Sequence, residues 1–442
     1  MKRFTAFTLS TALALTCLAG CGGQGNSSSQ QTSSGASQGS AEPTVVTVWH
    51  LFPEDEEPTH FHNRLEKWAE EFNATNTDNI KIEVSGGKTA DVIQTTIAAG
   101  NTPDIFMNYW NNAPTWASAG ALYDLTEFVN NDTEFNRDDF LDIAWTLCES
   151  EGKTYSVPNT ASSTFLFYNK DILAECGWDT FPTTMEELGQ CIRDCTKIAD
   201  DGSIERLGMI PNYPWVDTGL FGAAFGAKFI DENGDITCNS PEMIEAVEWQ
   251  IDYMKEIGID KITSFKDGLG ARGSAEDPIF TGKLAIRWNA DPVLASMEEF
   301  GEGKNWAMAP MPGDTGMYTG NVWQMNAKTK DAEAAWKVLA SLTGEENMKW
   351  LANGDFDKGN MYARKSSLEY LKNEADISEN TKYIADYLLT ADLSSFPMTP
   401  YINEYLDTLG VELATVFTGE GDVKTALDNT AAKVQPLADE YK

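Results

Sequence analysis

Histidine is almost missing from this chain, with three in 442 residues. If His60 and His62 share a helix they project about 200° apart, at ~100° per residue. They cannot serve one metal from one face, and a solvated helix surface is expected for both. His50 stands alone. Positive charge is also scarce: 32 Lys and Arg face 68 Asp and Glu, for a net charge of −36. A body this acidic is repelled by nucleic acid and by anionic lipid, so neither is an expected partner. Long apolar runs are absent, because Phe4–Leu18 falls short of the ~20 residues a spanning helix needs.

The N-terminus carries an address instead. Lys2 and Arg3 precede the apolar stretch, and small residues lead to a cysteine in Leu18-Ala19-Gly20-Cys21. The layout is that of a secretory signal, and its ending resembles a bacterial lipobox. The resemblance implies cleavage after residue 20 and a lipid on Cys21, so residues 1–20 are a leader. Residues 21–43 form a Gly/Ser/Gln-rich tether with no large apolar side chain to offset ordering entropy.

Seven cysteines are present. With Cys17 lost in the leader and Cys21 lipidated, Cys148, Cys176, Cys191, Cys195 and Cys238 remain, an odd number. Cys191 and Cys195 lie one helical turn apart on a stripe with Leu188, Ile192 and Ile198. Core packing is expected there, with a disulfide involving Cys176 as the alternative. No histidine lies near, so no metal is expected.

The body after the tether, about 400 residues, exceeds one comfortable core and suggests two lobes. Val45–Phe52 reads as a buried strand. Phe61, Leu65, Trp68 and Phe72 follow at helical spacing, then a strand at 80–84, a helix with Val92, Ile93 and Ile97, and a strand from Ile105. This alternation predicts an α/β fold with a largely parallel sheet. Thr183 with Glu186 reads as a capping box. Ser240-Pro241 and Asp331 read as further helix starts.

Three tempting motifs fail on context. Gly35-Ala36-Ser37-Gln38-Gly39 matches a nucleophile elbow but lies in the tether. Gly268-Leu269-Gly270-Ala271-Arg272-Gly273 matches a dinucleotide fingerprint without a preceding strand, and Pro278 cuts short any helix after it. Asp231, Asn233, Asp235, Thr237, Asn239 and Glu242 have calcium-loop spacing, but Ile236 replaces the required glycine and Gly234 suits a tight turn. No cofactor is implied, and an enzyme is poorly supported.

Several blocks in order resemble one family. These are Ala98-Ala99-Gly100-Asn101-Thr102-Pro103-Asp104-Ile105, Gly120–Thr126, Gly152–Pro158 with Tyr168-Asn169-Lys170-Asp171, Gly177–Leu188, Phe280–Ile286 and Gly359–Arg364. Met185 stands where tryptophan is usual, and Tyr362 replaces a proline. Together they resemble the extracellular solute-binding proteins, family 1, of ABC importers, the group that includes maltose-binding protein. The resemblance implies a two-lobed periplasmic-binding-protein-like fold (type II), with lobes joined by crossing strands at a hinge and solute held between them. It implies an N-lobe of 44–158 plus about 290–345 and a C-lobe of 159–289 plus about 346–442. Crossings are expected near Val157–Phe165 and Ala285–Asp291.

The implied ligand is a carbohydrate, with an oligosaccharide favoured, and the implied partner is an ABC permease; a monomer is expected. The alternatives are a polyamine, a peptide or ferric iron, or a secreted glycan-active enzyme. Sugar sites pair aromatic platforms with polar side chains. Candidates at the loops placed in the cleft are Trp49, His50, Glu54, Asn108, Tyr109, Trp110, Asn111, Asn159 and Trp215. Arg287, Trp288, Asn289, Asp291, Asn321, Trp323, Tyr401 and Tyr405 complete the set. Trp110, Trp215, Trp288 and Trp323 are expected to be exposed there, and Trp68, Trp249 and Trp336 in the core. Replacing Cys21 with alanine should move the protein from the membrane to the soluble fraction; unchanged fractionation would refute the anchor.

Overall fold

The computed structural model describes residues 42–54, 60–100, 103–213, 216–353 and 361–442. The leader, Cys21 and the tether up to residue 41 lie outside the described residues, as does Trp215. Residues 43–442 form one compact unit.

Strand β1 (Thr44–Trp49) is β-branched at almost every position, and its Val46 and Val48 are buried. It pairs in parallel with β2 (Ile80–Ser85) and β3 (Ile105–Tyr109). Helix α1 (Phe61–Thr75) crosses between β1 and β2 and buries Phe61, Leu65 and Trp68. Helix α2 (Ala90–Ala99) crosses between β2 and β3. Thr89 accepts from Val92 N at 3.3 Å at its start, and Gly100 ends it in the left-handed region at φ 78°. Asp104 explains the Pro-Asp block. Its carboxylate accepts from Thr47 N at 2.9 Å, Thr47 Oγ1 at 2.8 Å and Thr329 Oγ1 at 2.7 Å, fixing β3 against β1.

The strands Asn321–Met325 and Ser156–Pro158 complete a five-stranded sheet in the order β2, β1, β3, Asn321–Met325, Ser156–Pro158. A second sheet is antiparallel, with Thr164–Asn169 between Ile286–Ala290 and Trp306–Ala309.

Two large apolar clusters organise the body. The first includes Val46, Ile105, Trp323, Trp336 and Leu339, and the second includes Leu188, Phe221, Trp288, Tyr405 and Leu427. Membership changes from Phe165 to Leu166, and again between Trp288 and Leu294. Residues between Met348 and Leu393 contribute to the first cluster, although the sequence reading placed everything from about 346 onward in the C-lobe. The reason is an anchor made across the sequence. Arg364, in the Gly359–Arg364 block, is buried and donates to the carbonyls of Phe135, Asn136 and Thr343, drawing this segment onto the first cluster.

The helix starts follow the sequence closely. Ser240 and Asp331 cap their helices. The box expected at Thr183 is displaced by one residue: Thr184 accepts from Glu187 N, while the Glu187 carboxylate accepts from Thr183 N at 2.8 Å. The Gly268–Gly273 string is a loop. In the calcium-like segment Asp231 Oδ1 accepts from Asn233 N and Asp235 N, closing a tight turn, and Asp235 pairs with Lys442. Among the described residues no group of three or more His, Cys, Asp or Glu is arranged to hold a metal. No helix among them is long and apolar enough to cross a membrane.

Trp68 and Trp336 are buried as expected, and Trp249 is half-buried with its indole N–H on Met185 O. Trp288 and Trp323 are not in a cleft: both are 0% exposed. Their immediate neighbours, Arg287 and Asn289 for Trp288 and Val322 and Gln324 for Trp323, are themselves buried, so polar flanks do not mark solvent here. Trp288→Ala or Trp323→Ala should each cost about 3–5 kcal/mol of stability, measured by chemical denaturation. A loss under 1 kcal/mol in both would contradict the packing.

Candidate functional site

Three parallel strands bring their C-terminal ends to one edge of the five-stranded sheet, where open α/β sheets present ligand sites. Tyr109 at the end of β3 pairs with Asn321, and Pro158 pairs with Val322, so Asn159 and Asn321 reach the same edge. Asn159 N donates to Asn321 O at 2.9 Å. Tyr109 is 51% exposed, the largest aromatic surface at this edge among the described residues.

Asn108 organises the turn after β3. Its amide donates to Gln324 Oε1 at 3.0 Å, and its Oδ1 accepts from Tyr109 N at 2.9 Å and Asn112 Nδ2 at 3.0 Å. With its polar atoms so engaged, Asn108 is a positioning residue and not a ligand contact. Trp110, expected to be exposed, is buried at 8% exposure in the first cluster, because its indole donates to Thr319 Oγ1 at 3.1 Å and its ring lies parallel to that of Phe396, centroids 5.8 Å apart and planes 8° apart. Asn111 donates to Asn403 at 2.7 Å, and Asn403 donates to Asn112 at 3.2 Å. Thr115 adds a bond to Pro400 O at 2.8 Å. This amide belt joins the turn after β3 to the helix Ile402–Phe417. Asn159 Nδ2 is buried and has no partner.

The end of β1 forms a neighbouring group. Trp49 is half-buried, with Lys88 Nζ 5.2 Å from its ring centroid. Glu54 accepts from Gly86 N at 2.6 Å and from Ser85 Oγ at 3.3 Å, and the Gly86 bond leads the effects holding its carboxyl below the usual range. A Cβ at Gly86 would fall 2.6 Å from His50 Cε1, so glycine is required there. His50 is buried, and its Nε2 meets His62 Nδ1 at 2.9 Å. His62 therefore faces inward, contrary to the solvated surface expected of it. One ring donates in this contact and the other accepts, so the accepting ring must be neutral. Burial, then the neighbouring His62, holds the His50 pKa down at about 3.

The remaining candidates separate. Arg287 is fully buried and pairs with Asp277 at 2.7 Å, bracing the loop whose Gly273 N also donates to Asp277. Trp288 donates to Pro211 O at 3.0 Å within the second cluster. Tyr405 is buried with its hydroxyl on Phe229 O at 2.7 Å, and Tyr401 is buried with its ring beside Tyr441. Trp323 is in the first cluster. None of Arg287, Trp288, Trp323 and Tyr405 offers surface to a ligand here; each serves packing or internal pairing. Asn289 is buried, its Oδ1 accepting from Ala290 N. Asp291 is buried where the two sheets meet and accepts from Ser162 Oγ. Burial pushes its carboxyl well above the carboxylate range.

Several residues of this edge escaped the sequence reading. Asn112 was legible as part of an amide-rich turn directly after β3. Lys88, Thr319, Phe396 and Asn403 had no local signal, because only the fold carries them to the site.

The chain belongs to the bacterial extracellular solute-binding proteins, whose family model matches residues 60–349. It is 25% identical to the galactooligosaccharide-binding protein of Bacillus subtilis over 97% of this chain and 96% of that one. The solved structure of CpMnBP1 with mannobiose bound aligns with TM-score 0.72 and 20% identity, covering 89% of this chain and 100% of that one. The sugar-binding protein MalE of Xanthomonas citri aligns with TM-score 0.70 and 17% identity, covering 90% and 98%. The fold is thus the two-lobed type II arrangement.

The histidine pair sets a pH dependence. An unfolded His50 takes up its proton near pH 6.5, whereas the folded one resists until about 3. The unfolded state therefore binds more protons in between, and stability is complete above pH 6.5 and falls as pH drops toward 3. His50→Asn should lower the slope of unfolding free energy against pH between 4 and 6 by up to about 1.4 kcal/mol per pH unit. An unchanged slope in denaturant titrations would count against a neutral buried His50.

Proposed function

We propose that this protein is a lipid-anchored extracellular receptor that captures a neutral carbohydrate, an oligosaccharide in preference to a monosaccharide, between its lobes and delivers it unchanged to an ABC permease. The observation that carries the reading is the amide and aromatic edge at the strand ends: Tyr109 is exposed where Asn159 and Asn321 reach the same edge, braced by the Asn111–Asn403–Asn112 belt. Side-chain amides offer donors and acceptors without net charge, which suits hydroxyl groups, and an exposed ring suits the C–H face of a sugar. Asn159 Nδ2 adds a buried donor without a partner, a condition worth about 1–3 kcal/mol to relieve. The sugar-binding names of relatives and structural neighbours support the same ligand class.

In this reading the lobes meet at 157–165 and 285–291, Cys21 carries the lipid, and the tether is a leash that keeps the receptor near its permease. The receptor works as a monomer, with no cofactor and no chemistry performed on the ligand.

A thermal-shift screen of oligosaccharides, monosaccharides, polyamines and metal salts tests the ligand class. Saturation at 100 times Kd adds ~2.7 kcal/mol of stability, so a matching oligosaccharide should raise Tm without product release. Stabilisation by a polyamine alone, or turnover of the sugar, would overturn the assignment. Tyr109→Ala should weaken the identified ligand about tenfold or more by calorimetry, an amount near 1.4 kcal/mol, and leave the apo Tm within a degree or two. Equal affinity would remove Tyr109 from the site.

A further inference from the structure

Far from the strand-end edge, three cysteines lie in one chain of contacts. Cys176 caps the C-terminus of the helix Lys170–Glu175, and Cys195 caps that of Met185–Asp194. One guanidinium, that of Arg206, touches both Cys176 and Cys195, and Cys195 N donates to Cys191 O at 2.9 Å one helical turn back. Cys191 and Cys195 are fully buried, whereas Cys176 is half-exposed. Cys148 and Cys238 are buried, and neither is linked to this chain of contacts.

The two helix ends are clamped without help from sulfur. Arg206 donates through Nε to Cys195 O at 2.9 Å, through Nη2 to Cys176 Sγ at 3.6 Å and through Nη1 to Glu175 at 3.0 Å. On the other side, Trp178 donates its indole N–H to Asp194 at 3.1 Å. Arg206 and the Trp178–Asp194 bond thus hold the two helix ends side by side, with both cysteines as free thiols. Cys176 faces solvent and Cys195 lies behind it, which gives an oxidant one point of entry.

We propose that Cys176 and Cys195 are an oxidisable pair that forms a disulfide when the protein meets a disulfide oxidant such as oxidised glutathione. Two protein S–H bonds and the S–S bond of the oxidant break, and one protein S–S bond forms. The two protons and two electrons pass to the oxidant, which leaves as two thiols. Oxidation proceeds through a mixed disulfide on Cys176 that Cys195 resolves. Cys191 remains a thiol, because its sulfur is shielded by Cys195 and its side chain packs in the second cluster. Burial pushes the Cys176 thiol up to about 12, so the reduced pair is slow to react at neutral pH and needs a sustained oxidising environment. The bond would close the segment 177–194 into a loop and restrict the unfolded chain.

The test uses the full chain, purified reduced and then held in oxidised glutathione at neutral pH. Denaturation, alkylation and peptide mapping by mass spectrometry follow. The expected result is one linked peptide pair containing Cys176 and Cys195, with Cys148, Cys191 and Cys238 alkylated. Reductant should then lower Tm by about 3 °C, and Cys176→Ser should abolish that response while Cys238→Ser retains it. Alkylation of both Cys176 and Cys195 after oxidation, or a link from Cys195 to Cys191, would overturn the proposal. Neither outcome depends on the identity of the solute.

Discussion

One strand holds this architecture together by belonging to two cores at once. In Thr164–Asn169, Phe165 and Phe167 point into the first cluster while Leu166 points into the second. Successive side chains of a strand face opposite ways, so a single register places the second sheet between two apolar bodies. The neighbouring strand repeats the arrangement, with Ile286 and Trp288 in the second cluster and Arg287 and Asn289 on the other face. A slip of one residue would turn both cores inside out. The second sheet is thus a wall shared by the two clusters.

That wall decides which polar residues are available for binding. Residues within its strands are committed: Arg287 to Asp277, Trp288 to Pro211, Asp291 to Ser162. Residues at the ends of the first sheet are freer, because strand pairing stops there and turns begin. Tyr109 and Asn321 stand at such ends, braced by the Asn111–Asn403–Asn112 belt. The proposed site lies where the hydrogen-bonded ladders terminate, beside the amides that close the turns.

The fold was legible because the family's blocks are mechanical joints. Gly100 ends a helix, Asp104 locks β3 to β1, Asn169 caps a helix through Ile172 N, and Arg364 gathers three carbonyls. Each has a local physical reason for its residue type, so each can be read from a string. The site was less legible. A tryptophan flanked by Asn and Asp in a strand reads as exposed, yet strand neighbours lie on the opposite face, so Trp288 is interior while its polar neighbours say nothing about it. His62 was misread for a related reason: its partner His50 arrives from β1, beyond any helical spacing. The destination of residues 348–393 depended on Arg364, whose acceptors are more than two hundred residues away for Phe135 and Asn136.

The aromatic line from Trp110 through Phe396 and Phe229 to Tyr405 runs from one core toward the other. Its first contact sets two rings parallel, 8° apart. The two apolar bodies are therefore joined a second time, by ring packing alone and without any strand, so that part of their union needs no hydrogen-bonded ladder.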